Sequence, residues 1–340
     1  MSAGEDIPGL VLRPAAADDW PAIAAIQNAA RRADGADEVR TPESLASEWA
    51  ALDMGRDVVI AEIDGEAVGF GFGQKLERDG VLVAEMTGAV HPAFRRRGIG
   101  RAILHRSRDG AVAQLDADPR PLPRELRSFA LDQETGIIAM LADEGFVPIR
   151  FGYEMRRFLS GELPVHALPD GLELRPVAEG DLRTIWEANE EAFLDHWGHR
   201  PATEEDYREM CFGPDMTPGL WCVAWDGAEV AGVVMVAIFT AENEALGVRR
   251  GWLDRVSVRR AWRGRGLAKA LCAEAFAVLR REGMDEAWLG VDGSNPTGAV
   301  RLYEGLGFHV ARGWKAYGRP VDRPADENCR SAGDRATMGA

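Results

Sequence analysis

The 340-residue chain has only four cysteines, Cys211, Cys222, Cys272 and Cys329, and no pair has the CxxC spacing of a zinc site or redox motif. Neither a disulfide framework nor a structural metal is therefore expected. Cys222 and Cys272 lie in apolar runs, where a free thiol acts as a small buried hydrophobe. No apolar run is long enough to cross a bilayer. Met1 to Pro8 is short and acidic, unlike a secretory leader, so the cytoplasm is the expected compartment. Basic tracts are missing as well. Asp and Glu number 55 against 40 Lys and Arg, a formal charge of −15. That balance argues against nucleic acid and against a membrane surface. It suits solubility, and it would also attract a cationic partner such as an amine.

What is present is globular: 46% hydrophobic and 28% charged residues, in a length that suits two domains. The chain also repeats itself. Gly9-Leu-Val-Leu-Arg-Pro14 returns as Gly171-Leu-Glu-Leu-Arg-Pro176, Asp64-Gly65 as Asp226-Gly227, and Gly145-Phe146 as Gly307-Phe308, each 162 residues on. Between the copies, Ser160 to Asp170 has two prolines and no periodicity, the mark of a linker. The expected organisation is one domain over 8–158, a linker over 159–170, a second domain over 171–321 and a disordered tail over 322–340.

Within each copy a short strand precedes a helix. Asp18, Asp19 and Pro21 start the first helix, whose apolar stripe is Ile23, Ile26 and Ala30. Two strands joined by Asp-Gly follow, a hairpin signal. A third strand, 81–90 or 251–258, then runs into a glycine-bearing loop and an apolar helix. The first copy's helix reads as interrupted by Asp109-Gly110. The second copy has six extra residues before its loop, which are assigned to a polar loop over 239–250.

The loops are Arg95-Arg96-Arg97-Gly98-Ile99-Gly100 and Arg263-Gly264-Arg265-Gly266-Leu267-Ala268. Glycine lets the backbone turn sharply and approach a ligand closely. Free amides converging on a helix N-terminus suit a phosphate or pyrophosphate. A single such hexapeptide is weak evidence, and plain solvated arginines are the simpler reading of Arg95 to Arg97. Two copies, each between a strand and an apolar helix, are stronger.

Both loops resemble the Gln/Arg-x-x-Gly-x-Gly/Ala acetyl-CoA loop of the GCN5-related N-acetyltransferases. A second signature resembles the same family: Asn295, then Ala299-Val-Arg-Leu-Tyr303-Glu-Gly-Leu-Gly-Phe308. The resemblance spans nearly all of residues 9–320. It implies an α/β (α+β) fold in duplicate, each copy a mixed, mostly antiparallel sheet flanked by helices. It also implies acetyl transfer from acetyl-CoA, as cosubstrate and without a metal, to an amine by direct attack. The implied acetyl-CoA contacts are Val256, Ser257, Val258, the loop 263–268 and Asn295, with Val90 and the loop 95–100 in the first copy. Asn295 can equally be a helix cap.

An ammonium must lose a proton before it attacks, and a departing thiolate benefits from a proton donor. The resemblance puts Tyr303 in the donor role; the plain reading is a buried aromatic. Many relatives carry a strand Glu eleven positions before the loop's Gln/Arg. Trp252 stands there, so Asp254, two residues on, is the first candidate for the base. Glu242, Glu244, Asp195 and His196 are the others. The first copy has Leu141 and Gln133 where the second has Tyr303 and Asn295. It is therefore expected to be catalytically degenerate, as in mycothiol synthase-like tandem members of the family. A monomer with two pseudo-symmetric domains is the expected state. An acetyl-CoA sensor without catalysis and a protein or peptide N-acetyltransferase are the rival readings.

Overall fold

The computed structural model describes residues 7–50, 52–194, 196–213, 216–294 and 298–322. The expected tail and Asn295 lie outside them, as does Asp195. The first half runs β1 (Leu10–Pro14), α1 (Trp20–Ala33), α2 (Pro42–Glu48), α3 (Met54–Asp57), β2 (Val58–Ile63), β3 (Glu66–Arg78), β4 (Val81–Val90), α4 (Ile99–Asp116), β5 (Arg124–Leu131), α5 (Thr135–Asp143) and β6 (Val147–Phe158). The second half repeats the plan with β7 (Glu173–Arg175), α6 (Leu182–Phe193), α7 (Glu204–Phe212), β8 (Cys222–Asp226) and β9 (Glu229–Ala237). It continues with α8 (Thr240–Leu246), β10 (Arg250–Val258), α9 (Leu267–Arg281), β11 (Glu286–Asp292), α10 (Ala299–Gly305) and β12 (His309–Pro320).

All twelve strands form one sheet in the order β1-β2-β3-β4-β5-β12-β6-β11-β10-β9-β8-β7. The halves exchange their last strands: β12 pairs with β5, and β6 pairs with β11. Two arginines mark the exchange, 162 residues apart. Arg157 on β6 donates to the Leu306 carbonyl just past α10. Arg319 on β12 donates to the Glu144 carbonyl just past α5, at 2.6 Å. Each half thus caps a helix C-terminus of the other with a cation, where free carbonyls and the helix dipole favour one.

Pairing is antiparallel except for β4 with β5 and β10 with β11. Both parallel ladders are short. β10 pairs with β11 only over Arg250–Trp252 and Glu286–Trp288. Beyond that point β10 stays with β9 as far as Val258, while β11 stays with β6 as far as Asp292. The strands part into a wedge that opens toward the loop 263–268. β4 and β5 part in the same way after Met86 and Ser128.

Two expectations are corrected. α4 runs unbroken through Asp109-Gly110. Glycine within a helix costs about 1 kcal/mol against alanine, but Ser107, Ala111 and Leu115 are buried along one face and packing prevails. Glycines on β3 bring α4 close: a Cβ at Gly71 would collide with Ile103, and one at Gly73 with the Ser107 carbonyl. The insertion read as a polar loop contains the helix α8, closed by Gly247 in the left-handed region (φ 65°). α8 turns the polar Glu242 and Asn243 inward, so it has no apolar stripe to read. Cys211, Cys222 and Cys272 are free and buried, and burial raises their thiols to about 11, 12 and 12.

Candidate active site

The two glycine loops have nearly the same backbone. A 3-10 turn, Pro92–Phe94 or Arg260–Trp262, leads from the strand. The loop then ends at a left-handed glycine that caps the helix, Gly98 or Gly266, each with φ 86°. An L-residue resists that conformation, which accounts for both glycines. The loop's first glycine is also left-handed in the second half (Gly264, φ 76°), whereas Arg96 occupies that place in the first (φ 65°).

Arg95 and Arg263 were expected at the pyrophosphate; their guanidinium groups donate to backbone carbonyls of the neighbouring strand and helix. Arg95 pairs with Asp34 at 2.7 Å and also donates to the Val90 and Ala30 carbonyls. Arg263 donates to the Val258 carbonyl at 2.9 Å and to the Ala192 carbonyl at 3.0 Å. Both tie the loop to the strand before it and to the C-terminal end of α1 or α6. The groups left to meet an anion are backbone amides, together with the exposed Arg97 and Arg265.

The loops differ in what covers them. A Cβ at Gly98 would come 3.2 Å from the Ile7 side chain. At Gly264 and Gly266 a Cβ would meet nothing within 4 Å among the described residues. Behind the open loop, Leu267 and Cys272 of α9 are buried in one cluster with Tyr303, against which Val256 and Val258 pack. Burial, with Cys272 beside it, pushes the Tyr303 phenol above its ordinary value, so it carries its proton at neutral pH. Leu141, its counterpart, is fully buried in the first half's core and has no proton to give.

Asp254 is the extra residue of a β-bulge. Leu253 faces Val236 and Arg255 faces Met235, which leaves Asp254 unpaired. The two-residue count that set it on the face of Trp252 does not survive a bulge. Its carboxylate is 40% exposed and lies 3.7 Å from Arg255. Glu242 is at the closed end of the wedge, 3.7 Å from Arg250, and Glu244 is exposed. His196 lines a cleft of about 390 Å³ against the far side of β10.

This cleft lies between α6, the 196–202 loop, α7 and Arg255, with Arg78 of the first half at its edge. The first half holds the loop in place. Arg78 donates to the Gly198 carbonyl at 3.0 Å, and Gly198 N–H donates to Asp79 at 2.6 Å. Arg127 and Arg150 lie over the Trp197 ring at 4.6 and 5.4 Å. The corresponding region of the first half is filled by charge. Glu38 meets Arg31 and Arg40, Arg40 reaches Glu48, and Asp37 pairs with Arg250 and Arg312 of the second half. Sequence reasoning singled out His196 on the cleft's wall but missed the contacts between halves in both arrangements.

Likeness to known proteins gives the family and the fold. Residues 182–308 match the model of the acetyltransferase (GNAT) family, and 55–129 match an acetyltransferase (GNAT) domain. The chain is 31% identical over 291 residues to the mycothiol acetyltransferase of Thermobispora bispora, covering 85% of this chain and 92% of that one. The chain belongs to the GNAT acetyltransferase family. The mycothiol acetyltransferase of Geodermatophilus obscurus is likewise 31% identical, with 84% of this chain and 90% of the relative covered. Among solved structures, a GCN5-related N-acetyltransferase from Sphaerobacter thermophilus superposes with TM-score 0.72 at 29% identity, over 93% of this chain and 97% of that one. A tandem GNAT protein from the clavulanic acid biosynthesis pathway shares the fold, with TM-score 0.66 at 21% identity over 93% and 100% of the two chains. The acetyltransferase is thus a tandem GNAT protein. Among its described residues no helix is long and apolar enough to cross a membrane, and no three His, Cys, Asp or Glu side chains gather to hold a metal ion.

Proposed function

We propose that the second half transfers the acetyl group of acetyl-CoA to the primary amine of a small molecule. The observation that carries this reading is the meeting of three features on β10: an uncovered glycine loop, an open wedge and a bounded cleft. The amides of 264–268 suit the pyrophosphate, since they are the free N–H groups of a helix start. The edge of β10 over Val256 to Val258 has left β11, which frees backbone groups for the pantetheine arm and for an oxyanion. Tyr303, protonated at neutral pH, is the donor to the leaving thiolate. A cleft of about 390 Å³ is of small-ligand size. The relatives' name, mycothiol acetyltransferase, supports a small-molecule acceptor.

In this reaction the amine nitrogen bonds to the thioester carbonyl carbon, the carbon–sulfur bond breaks, and CoA leaves as a thiol. The first half holds the acceptor side of the site through Arg78, Asp79 and Arg127, and Arg157 braces the end of α10. Its own glycine loop lies under Ile7 and takes no part in turnover. The test is release of CoA thiol from acetyl-CoA with a panel of amines. No release with any amine, from protein that binds acetyl-CoA, would make the chain a binding module instead.

A further inference from the structure

We propose that the His196 imidazole is the general base of this acetyl transfer, taking the proton of the acceptor ammonium in the cleft beside β10. The inference rests on the acetyl-transfer reading above. A primary amine is an ammonium at neutral pH and cannot attack until a neighbouring group takes its proton. Residue 252, where many family members carry a carboxylate, is Trp, with its ring 5.7 Å from that of Trp288. Among the described residues, three carboxylates around the site already have partners, while Asp254 is exposed. Asp292 is bidentate with Arg150, at 2.6 Å for the shorter contact, and also accepts from the Ser294 amide. Asp206 is bound by Arg200 and accepts from Thr203. Glu190 accepts from Asn189 at 3.2 Å on the Arg200 side of the cleft.

His196 is placed differently. Its ring stacks on Phe193, with centroids 4.3 Å apart and planes 27° apart, and its backbone N–H donates to the Phe193 carbonyl at 2.9 Å. The stack fixes the ring plane. The charges that reach the imidazole come from every element framing the wedge: Asp292 at the end of β11, Arg255 on β10, Arg263 in the glycine loop and Arg150 on β6. The ring lines the cleft together with Arg255 of β10, within reach of the charges on the strands that frame the wedge. Burial, helped by the three arginines and opposed by Asp292, holds its pKa below the ordinary histidine value. It is neutral at pH 7, the form a base needs.

The protons balance. His196 takes one from the ammonium, and the free amine attacks the thioester carbon. As the carbon–sulfur bond breaks, Tyr303 gives its proton to sulfur. The new amide nitrogen sheds its extra proton, which returns to the tyrosinate through water. His196 releases its proton to solvent, so the products are the N-acetyl amine, CoA thiol and one proton.

The experiment is a pH–rate profile of the full chain, with acetyl-CoA and two probes, S-methyl-L-cysteine amide and glucosamine. His196→Gln is expected to lower kcat/KM at pH 7 by ~10²-fold or more while KM for acetyl-CoA holds. The rising limb, placed below pH ~6.5 in the wild type, is expected to vanish. The variant's rate then follows the amine's own free-base fraction, so the deficit narrows toward pH 9. Added imidazole is expected to restore part of the rate of His196→Gly, which a structural role would not produce. Persistence of the limb in His196→Gln, or its loss in Asp254→Asn, would overturn the assignment. A second measurement needs no acceptor. The His196 ring resonance, identified by its loss in His196→Gln, is expected to shift on addition of CoA; an unmoved resonance places the ring outside the site and overturns the proposal. A wild-type chain that releases no thiol with any amine would sink the acetyl-transfer reading itself, a failure distinct from these.

Discussion

The two halves share a backbone plan and differ at four places that bear on the site. The second half has Gly264 where the first has a left-handed Arg96. Its loop is open at Gly266, whereas Ile7 lies over Gly98. Tyr303 stands in place of Leu141. Its outer cleft has a volume of about 390 Å³, whereas the first half's is packed with ion pairs, two of them to the second half. The differences run in one direction: those in the second half leave room or bring a protonated hydroxyl, and those in the first fill or cover the space. Duplication of a fold duplicates its frame, while the chemistry needs only one copy. The other copy then becomes a wall. Exchange of β6 and β12 makes the arrangement permanent, because neither half keeps a complete sheet when separated.

The largest effect expected from this asymmetry is at the loops. Gly98→Glu and Gly266→Glu carry the same backbone strain, since both glycines have φ 86°. Only Gly266→Glu is expected to abolish acetyl-CoA-dependent turnover, by setting a carboxylate where the pyrophosphate belongs. Gly98→Glu is expected to keep most of it. Steady-state rates decide between them, with circular dichroism to show that both variants are folded. Turnover lost with Gly98→Glu and kept with Gly266→Glu would reverse the assignment of the halves.

Next in size is Tyr303→Phe, which keeps the ring and removes the donor. A general acid contributes typically ~10²–10⁴-fold, so kcat is expected to fall by that order while acetyl-CoA affinity, measured by calorimetry, holds. A wild-type rate would leave Tyr303 as a core aromatic, equivalent in role to Leu141.

The filled cleft of the first half offers a test of intermediate size. Burial raises Glu242 to about 7, against the pull of Arg40, Arg250 and Arg312 and with the push of Glu38. Its folded pKa lies above its unfolded value, so the folded chain holds the extra proton. The stability this contributes is full below about pH 4.5 and is lost as pH rises through 7. Wild-type stability is therefore expected to drop by on the order of 2–3 kcal/mol from pH 5 to pH 8 relative to Glu242→Gln. Urea melts of both proteins across that range measure it. Parallel curves would show that Glu242 is ionised throughout.

Much of this frame was legible in the letters, because it rests on local signals. The Asp64-Gly65 turn and the glycine loops each specify their own backbone. What was not legible depends on partners distant in sequence. Nothing local in β6 or β12 says which half it will join. α8 hid because its inward residues are polar: Asn243 is satisfied by the Arg250 carbonyl at 2.8 Å, a contact with no periodicity. The contacts of Arg95 and Arg263 with backbone carbonyls were not legible either, since a guanidinium beside a loop says nothing of which way it turns. The first half's part in the cleft escaped for the same reason as the strand exchange, as Arg78 and Gly198 are 120 residues apart.

The smallest effect expected is at Arg96, and it sharpens the comparison most finely. Arg96 holds the left-handed conformation (φ 65°) that Gly264 adopts without a Cβ. A non-glycine residue in that region is strained by ~1 kcal/mol or more. Glycine relieves the strain but gives back part of the gain through the greater freedom of the unfolded chain. Arg96→Gly is therefore expected to stabilise the protein by less than about 1 kcal/mol. In a chain this long that is a rise of no more than about 2 °C in melting temperature. The reverse change, Gly264→Arg, brings the same strain to the open loop, where the backbone must also meet its ligand. It is expected to cost a similar amount of stability and, in addition, to raise KM for acetyl-CoA. Scanning calorimetry and steady-state kinetics on the pair separate the two contributions. If Arg96→Gly also changed KM, the first loop would be binding acetyl-CoA during turnover, and the division of labour between the halves would have to be redrawn.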